Sequence, residues 1–303
     1  MRVLYLGLPL GALCLAARGH TPVAIVLGHP DAAGASRIRR RIARQSSALV
    51  LGRPSLEDPV IVRTLASLRP DVILSWFWPR RVPEHVLSLA PSGAYGVHPS
   101  LLPRWRGPDP YFWAIRSGDT TTGVTLHRLD ASYDTGDVIE QRTLDIEPID
   151  DAWRLARRLD RPSLALLLAC ADRLARGESL AGTSQDHTLA TLAPAPSADD
   201  LAVRWAETAE QIVRLVRAAA PYPGATARIG DAFVEILEAR VSDHDALRAL
   251  EPSEAIVATD RSVIVRADDR GVRLVRVRTE DGHELRDPEI ARLLSGPTAR
   301  RAP

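Results

Sequence analysis

The chain has 303 residues, a formal net charge of +1 and 25% charged side chains, so bulk electrostatics gives no reason to expect nucleic acid or an anionic membrane as partner. Its hydrophobic content of 45% is that of an ordinary globular protein, and its length predicts two domains. Two cysteines, Cys14 and Cys170, are too few for a disulfide framework. Both sit in apolar helical patterns and read as buried free thiols in a reducing compartment. No signal peptide and no membrane-length apolar stretch is expected, which points to a cytoplasmic protein with no membrane partner. The chain contains no Lys and no Asn.

In chain order, RVLYLGL at 2–8 predicts a buried strand, 10–18 a helix and TPVAIVLG at 21–28 a second strand. This alternation predicts βαβ units and a mostly parallel sheet. The first turn, from Gly7 to Gly11, is not the GxGxxG dinucleotide fingerprint, which argues against a nicotinamide cofactor. Arg37, Arg39, Arg40, Arg41 and Arg44 follow. They read either as a solvated helix face or as a cradle for a phosphorylated substrate or tRNA backbone. Further strands are expected at 47–52, at DVILSWFW (71–78) and at GAYGVHP (93–99). Helices are expected at 58–68, where Pro70 ends the run, and at 83–90. A long amphipathic helix is expected at 151–177, capped by Asp150 or Asp151 and kinked at Pro162.

Three regions follow from this pattern: a domain over 1–183, a polar, Pro-rich linker over 184–200, and a second domain over 201–303. The second opens with a helix at 206–219. Runs at 227–230, 231–241, 262–267 and 272–279 then predict a small β-barrel. From Asp200 to the end there are 16 Arg against 18 Asp and Glu, which is not a nucleic-acid-binding surface by bulk charge.

The chemistry concentrates between Gly93 and Asp137. His98 leaves a strand's carboxyl end and enters HPSLLP, where proline stiffens the backbone. An acidic turn with Asp130, Asp134 and Asp137 lies downstream, returning beside it if the parallel order continues. A His–Asp pair suits proton transfer, because the carboxylate fixes the imidazole tautomer. No nucleophile elbow and no zinc-type spacing accompanies it, so no metal is expected. What remains is general acid–base assistance to a transfer between two bound substrates. His127, inside TLHRL, reads as structural.

VHPSLLPRWRG followed by TTGVTLHRLDASYDTGDVI closely resembles the formyltransferases that use 10-formyltetrahydrofolate. LYLGLP and RPDVILSW fit the same amino-terminal domain, and TAEQIVRLVRAAAPYPGA resembles the opening of the carboxyl-terminal domain of some members. The resemblance implies an open, mostly parallel α/β sheet flanked by helices, followed by an OB-like barrel. It implies 10-formyltetrahydrofolate as co-substrate. The acceptor would be the primary amine of a small, nucleotide-linked or carrier-linked substrate, with charged initiator tRNA as an alternative. A folate-binding homologue with little catalysis is the third reading.

Carried over by motif, His98 is the general acid–base and Asp134 orients it. The third position of the family's trio, an Asn that holds the formyl oxygen, is Gly96 here. The departure leaves room for a water or the Gly96 backbone to substitute. The folate is expected against Trp76, Phe77 and Trp78, the loop residues Leu101, Leu102 and Pro103, and the turn residues Asp130, Gly136 and Asp137. The acceptor is expected near Arg104, Arg106, Gly107 and Asp109, where Asp109 could contact a cationic amine.

Overall fold

The structure is a computed structural model and describes residues 1–28, 47–293 and 300–301. The Arg37–Arg44 cradle falls outside the described residues. The chain divides into two compact units. The first comprises Met1–Pro110, Thr121–Asp145 and Arg157–Pro194; the second comprises Tyr111–Thr120, Ile146–Ala156 and Ala195–Pro303.

The first unit is built on a seven-stranded sheet. Its strands are β1 (Val3–Gly7), β2 (Pro22–Leu27), β3 (Leu49–Gly52), β4 (Val72–Trp76), β5 (Ala94–His98), β6 (Thr121–Arg128) and β7 (Val138–Asp145), in the spatial order 3-2-1-4-5-6-7. β1 through β5 are parallel, as the alternation with α1 (Pro9–Ala17), α2 (Pro59–Ser67) and the short α3 (Glu84–Leu87) predicts. All five residues of β1 are buried, the mark of a strand covered on both faces. Asp58 caps α2 by accepting from the Val60 N–H at 2.8 Å.

The parallel order stops at β5. β6 runs antiparallel to β5, and β7 antiparallel to β6. Parallel continuation is therefore not what returns the acidic turn to His98. The turn between β6 and β7 folds back over the sheet instead. One face of the sheet carries Leu4, Leu6, Val26, Ile73 and Ala94 in a single apolar cluster, with Trp78 and Leu129 packed on its margin. Each fully buried Leu or Val in such a cluster contributes about 1.5–3 kcal/mol.

Helix α4 covers Pro110–Ser117, and α5 covers Ala152–Ala175 as one unbroken run through Pro162. Asp151 accepts from the Arg154 N–H at 2.7 Å, as an N-cap should, while Asp150 closes the preceding turn onto the Glu147 N–H. Cys170 lies fully buried on α5, and burial pushes its thiol up to about 12. A maleimide at pH 8 should therefore leave Cys170 unmodified in the folded chain and label it only after denaturation, as a peptide map will show. Cys14, expected to be buried, is only partly so.

The second unit carries α6 (Ala198–Leu201), α7 (Ala209–Ala219) and α8 (Glu289–Leu293). Thr208 opens α7 with a capping box completed by Gln211. Its sheet is formed by β8 (Ala225–Ile229), β9 (Ala232–Ser242), β10 (Ala255–Val257), β11 (Val263–Arg266), β12 (Gly271–Thr279), β13 (Glu284–Arg286) and β14 (Arg300–Arg301). The pairing path runs 14-10-11-12-9-8, with β13 on β12. The four strands expected from the sequence are β8, β9, β11 and β12; β10 and β13 have three residues each and carry too little pattern to be read. Among the described residues, no helix is long and apolar enough to cross a membrane.

Candidate functional site

β5 ends at His98, at the carboxyl edge of the parallel strands, where open α/β sheets bind ligands. In the ladder Gly96 sits opposite Ser75 and His127, and His98 opposite Thr125. Side chains alternate along a strand, so Ser75, Gly96, His98, Thr125 and His127 share one face.

The loop after His98 is pinned from β6 and β7. The Thr125 hydroxyl donates to the Ser100 carbonyl at 2.6 Å and accepts from the Leu102 N–H at 3.1 Å. Gln141 donates to both the Leu102 carbonyl and the Thr125 hydroxyl at 2.9 Å. Thr125 thus spends its one donor and one acceptor position on the loop and the other acceptor position on Gln141, which itself holds the loop. Ser100 tightens the same loop by donating to the Arg104 carbonyl at 2.6 Å.

The structure brings His98 and Asp134 together. His98 Nδ1 stands 3.4 Å from Asp134 Oδ2, with the two side chains 8% and 17% exposed. The other ring nitrogen, Nε2, lies 2.8 Å from the Trp105 carbonyl. A carbonyl only accepts, so Nε2 carries a proton and Nδ1 is the nitrogen turned to the carboxylate. The Gly107 N–H donates to the same Oδ2 at 3.0 Å. Asp134 holds φ +54°, a left-handed conformation that Asp tolerates better than most residues.

His127, read from the sequence as structural, lies in the same group. Its Nε2 lies 3.6 Å from Asp134 Oδ1, and its Nδ1 is 2.8 Å from the Arg128 carbonyl. The two imidazoles therefore flank one carboxylate, with ring centroids 6.5 Å apart. Burial pushes His127 below its ordinary 6.5, partly offset by the charge of Asp134. The unfolded chain then binds this proton more readily than the folded one, so stability falls as pH drops below 6.5 toward the folded value. His127→Gln should flatten that part of the unfolding curve, measured by urea titration at stepped pH.

The turn is organised locally and from outside. Asp130 accepts from the Ser132 N–H at 3.2 Å and the Thr135 hydroxyl at 2.6 Å, so both its oxygens serve the turn. The Asp137 carbonyl accepts from the Arg128 N–H at 2.9 Å. Gln185 donates to the carbonyls of Asp134 and Gly136 at 2.9 and 2.7 Å. Sequence reasoning missed Gln185, because it lies in the stretch that composition marks as linker.

The other expected positions divide. Leu101 and Leu102 lie in the pinned loop, Leu102 at 4% exposure. The Pro103 carbonyl accepts from the Thr191 N–H at 3.4 Å. Arg104 is exposed and stacks its guanidinium 4.3 Å from the Trp105 ring centre. Asp109 donates its backbone N–H to the Ala193 carbonyl at 3.0 Å and is half-buried. Arg106 departs from the expected acceptor-facing role. It is 7% exposed, its fork donates to Gln185 Oε1 at 3.1 and 2.6 Å, and Nη2 also meets His187 Nδ1 at 3.2 Å.

Trp76 departs as well. It pairs with Val97, the neighbour of His98, so it faces the opposite side of the sheet and is buried to 2%. Phe77 packs edge-on against it at 4.8 Å, with φ +55° turning the chain. Of the three aromatics, Trp78 lies on the margin of the site-side cluster, under the Arg80 guanidinium.

The space beside Gly96 is not vacant. A Cβ built there would stand 2.7 Å from Leu129 Cδ2 and 3.5 Å from His127 Nε2. Leu129 fills the slot, which leaves no room for the water expected from the sequence. Gly96 lies in an interior strand paired on both sides, which commits its peptide groups to the ladder. Among the described residues, no group of three His, Cys, Asp or Glu could hold a metal ion.

Residues 13–170 match the Formyl transferase family, and residues 197–293 match Formyl transferase, C-terminal domain. The methionyl-tRNA formyltransferase of Anaeromyxobacter dehalogenans (strain 2CP-1) is 35% identical over 274 residues, covering 88% of each chain. Among solved structures, HypX from Aquifex aeolicus in complex with tetrahydrofolic acid superposes with a TM-score of 0.67 at 20% identity. All of this chain aligns there, and it spans 49% of HypX. The N-formyltransferase from Helicobacter canadensis, in complex with folinic acid and dTDP-3-aminofucose, gives a TM-score of 0.67 at 14% identity, over 90% of this chain and 98% of that one. At these identities the superpositions speak for the fold.

Proposed function

Because the chain belongs to the formyl transferase family and is an enzyme, we propose that it moves a formyl group from 10-formyltetrahydrofolate to a primary amine in the cytoplasm. The acceptor in this reading is a small, nucleotide-linked or carrier-linked amine. The observation that carries it is the 3.4 Å approach of His98 to Asp134 at the sheet's carboxyl edge. The amine nitrogen attacks the formyl carbon, and the C–N bond forms as the carbonyl oxygen takes up the negative charge. The amine's proton passes to the His98–Asp134 pair. The bond from the formyl carbon to N10 then breaks, and N10 takes a proton. Asp134 is the more exposed partner, so the proton enters through the carboxylate, with the imidazole behind it. The pair, rather than either side chain alone, is the acid–base.

Charged initiator tRNA is the second reading, favoured by the 35% identity to a methionyl-tRNA formyltransferase. Ion pairing in the second unit weighs against it. Arg273 pairs with Asp260 and Asp287, Arg276 with Glu284, and Arg278 with Glu235 and Glu284. Guanidiniums already neutralised make a weak phosphate track. Tetrahydrofolate release by the purified chain should require an amine, and an amino-sugar nucleotide panel run against charged initiator tRNA separates the two acceptors. Release with neither class, at a rate above donor hydrolysis alone, would remove the amine-transfer reading.

A further inference from the structure

We propose that Gln185 is a positioning residue for the reaction: its amide joins the Asp134 turn to the Arg106 loop and so sets the His98–Asp134 approach. The inference rests on the reading of that pair as the acid–base. Gln185 is 6% exposed, and every hydrogen-bonding position of its side chain is used. Oε1 accepts from Arg106 Nε and Nη2 at 3.1 and 2.6 Å. Nε2 donates to the Asp134 and Gly136 carbonyls at 2.9 and 2.7 Å. A side-chain amide has two N–H donors and two acceptor lone pairs, and all four are satisfied here.

The connection acts on both partners of the pair. Asp134 is held by its own carbonyl, at the residue whose left-handed backbone aims the carboxylate. His98 is held through Trp105, whose carbonyl meets Nε2 and whose N–H donates to Thr191 Oγ1 at 2.9 Å. Thr191 lies in the same segment as Gln185. That segment runs along the loop through Arg106 N–H to Thr191 carbonyl at 2.9 Å, Ala193 N–H to Arg106 carbonyl at 2.7 Å, and Asp109 N–H to Ala193 carbonyl at 3.0 Å. Residues 185–193 thus form a strap across the loop, and Gln185 ties its end to the carboxylate turn. Buried amides in satisfied networks of this kind fix one geometry, because every alternative leaves a donor or acceptor unpaired.

Gln185→Glu separates the two halves of this function. Glu keeps the oxygens that face Arg106 but has no N–H for the two carbonyls, so it loses its hold on the turn while keeping its hold on the loop. The probe is the pair of His98 ring-nitrogen resonances in full-length 15N-histidine-labelled protein, which need no identified acceptor. Asp134→Asn should displace them. Gln185→Glu should displace them in the same direction, by most of the same amount, and should add nothing in the Asp134→Asn background. Arg106→Lys removes one of the two contacts on Oε1 and should give a smaller displacement of the same sign, which keeps the test decisive if the Glu variant does not fold. Wild-type resonances in Gln185→Glu, or in Arg106→Lys where the Glu variant does not fold, or an additive displacement in the double variant, would overturn the inference. If Asp134→Asn itself leaves the resonances unmoved, the pairing is wrong and the functional reading falls with it.

Discussion

His98→Ala and Asp134→Asn should each lower kcat for formyl transfer by about 10²–10⁴-fold, the usual contribution of a placed acid–base group. The reason is geometric. His98 Nε2 is committed to the Trp105 carbonyl, so Nδ1 is the nitrogen that exchanges charge with Asp134. Alanine removes the imidazole, and Asn leaves an amide that takes no proton from the attacking amine. The double variant should lose little more than either single one, because the two act as a unit. The measurement is tetrahydrofolate release under saturating donor, with donor affinity followed separately by fluorescence quenching. Affinity should hold within a few-fold. A variant that keeps wild-type turnover would dismiss the pair as the acid–base.

Gly96→Asn is the second large effect, and the structure determines its sign. The residue resemblance alone suggests that restoring an amide there improves transfer. The Leu129 side chain opposes it, because its Cδ2 stands 2.7 Å from the position of the new Cβ. Leu129 is half-buried and packs against the apolar cluster that includes Ala94 and Ile73, so turning its Cδ2 aside gives up part of that packing. The single change should therefore cost about 1–3 kcal/mol of stability, as overpacking does, and should not raise the rate. Combined with Leu129→Ala, the Asn fits into the cleared slot beside His127 Nε2. A side-chain donor to a developing oxyanion is worth roughly 10²–10³ in kcat, and the double variant should move toward that gain over Gly96→Asn alone. Chemical denaturation and turnover on all four members of the cycle settle it. An Asn variant that is stable and faster without the Leu129 change would show that the slot is more yielding than its packing implies.

Much of the site was legible because its chemistry is local in sequence. His98, Asp134 and the loop between them fall within one stretch, and each residue type there has a definite chemical use. The parallel strands were legible as continuous apolar runs. What escaped had long-range causes. Gln185 reaches Asp134 across 51 positions and Arg106 across 79, and nothing in a Pro-rich, polar segment announces such a contact. His127 looked structural because its meeting with Asp134 depends on β6 turning antiparallel, which no period in the sequence reveals. The neighbourhood of Trp76 points to the folate wall, whereas strand alternation sends its side chain to the other side of the sheet. The fate of the Gly96 slot hinged on a neighbouring side chain, Leu129, whose lean is a matter of tertiary packing.

The strap bears on how the protein can be cut. The two family-matched stretches end at 170 and resume at 197, and Gln185 and Thr191 fall in the gap between them. A truncation at that first border would retain every residue of the sheet and still release the carboxylate turn. Chimeras that exchange carboxyl-terminal halves among relatives should accordingly be spliced beyond Pro194, with the intervening peptide inherited from the same parent as the loop it braces.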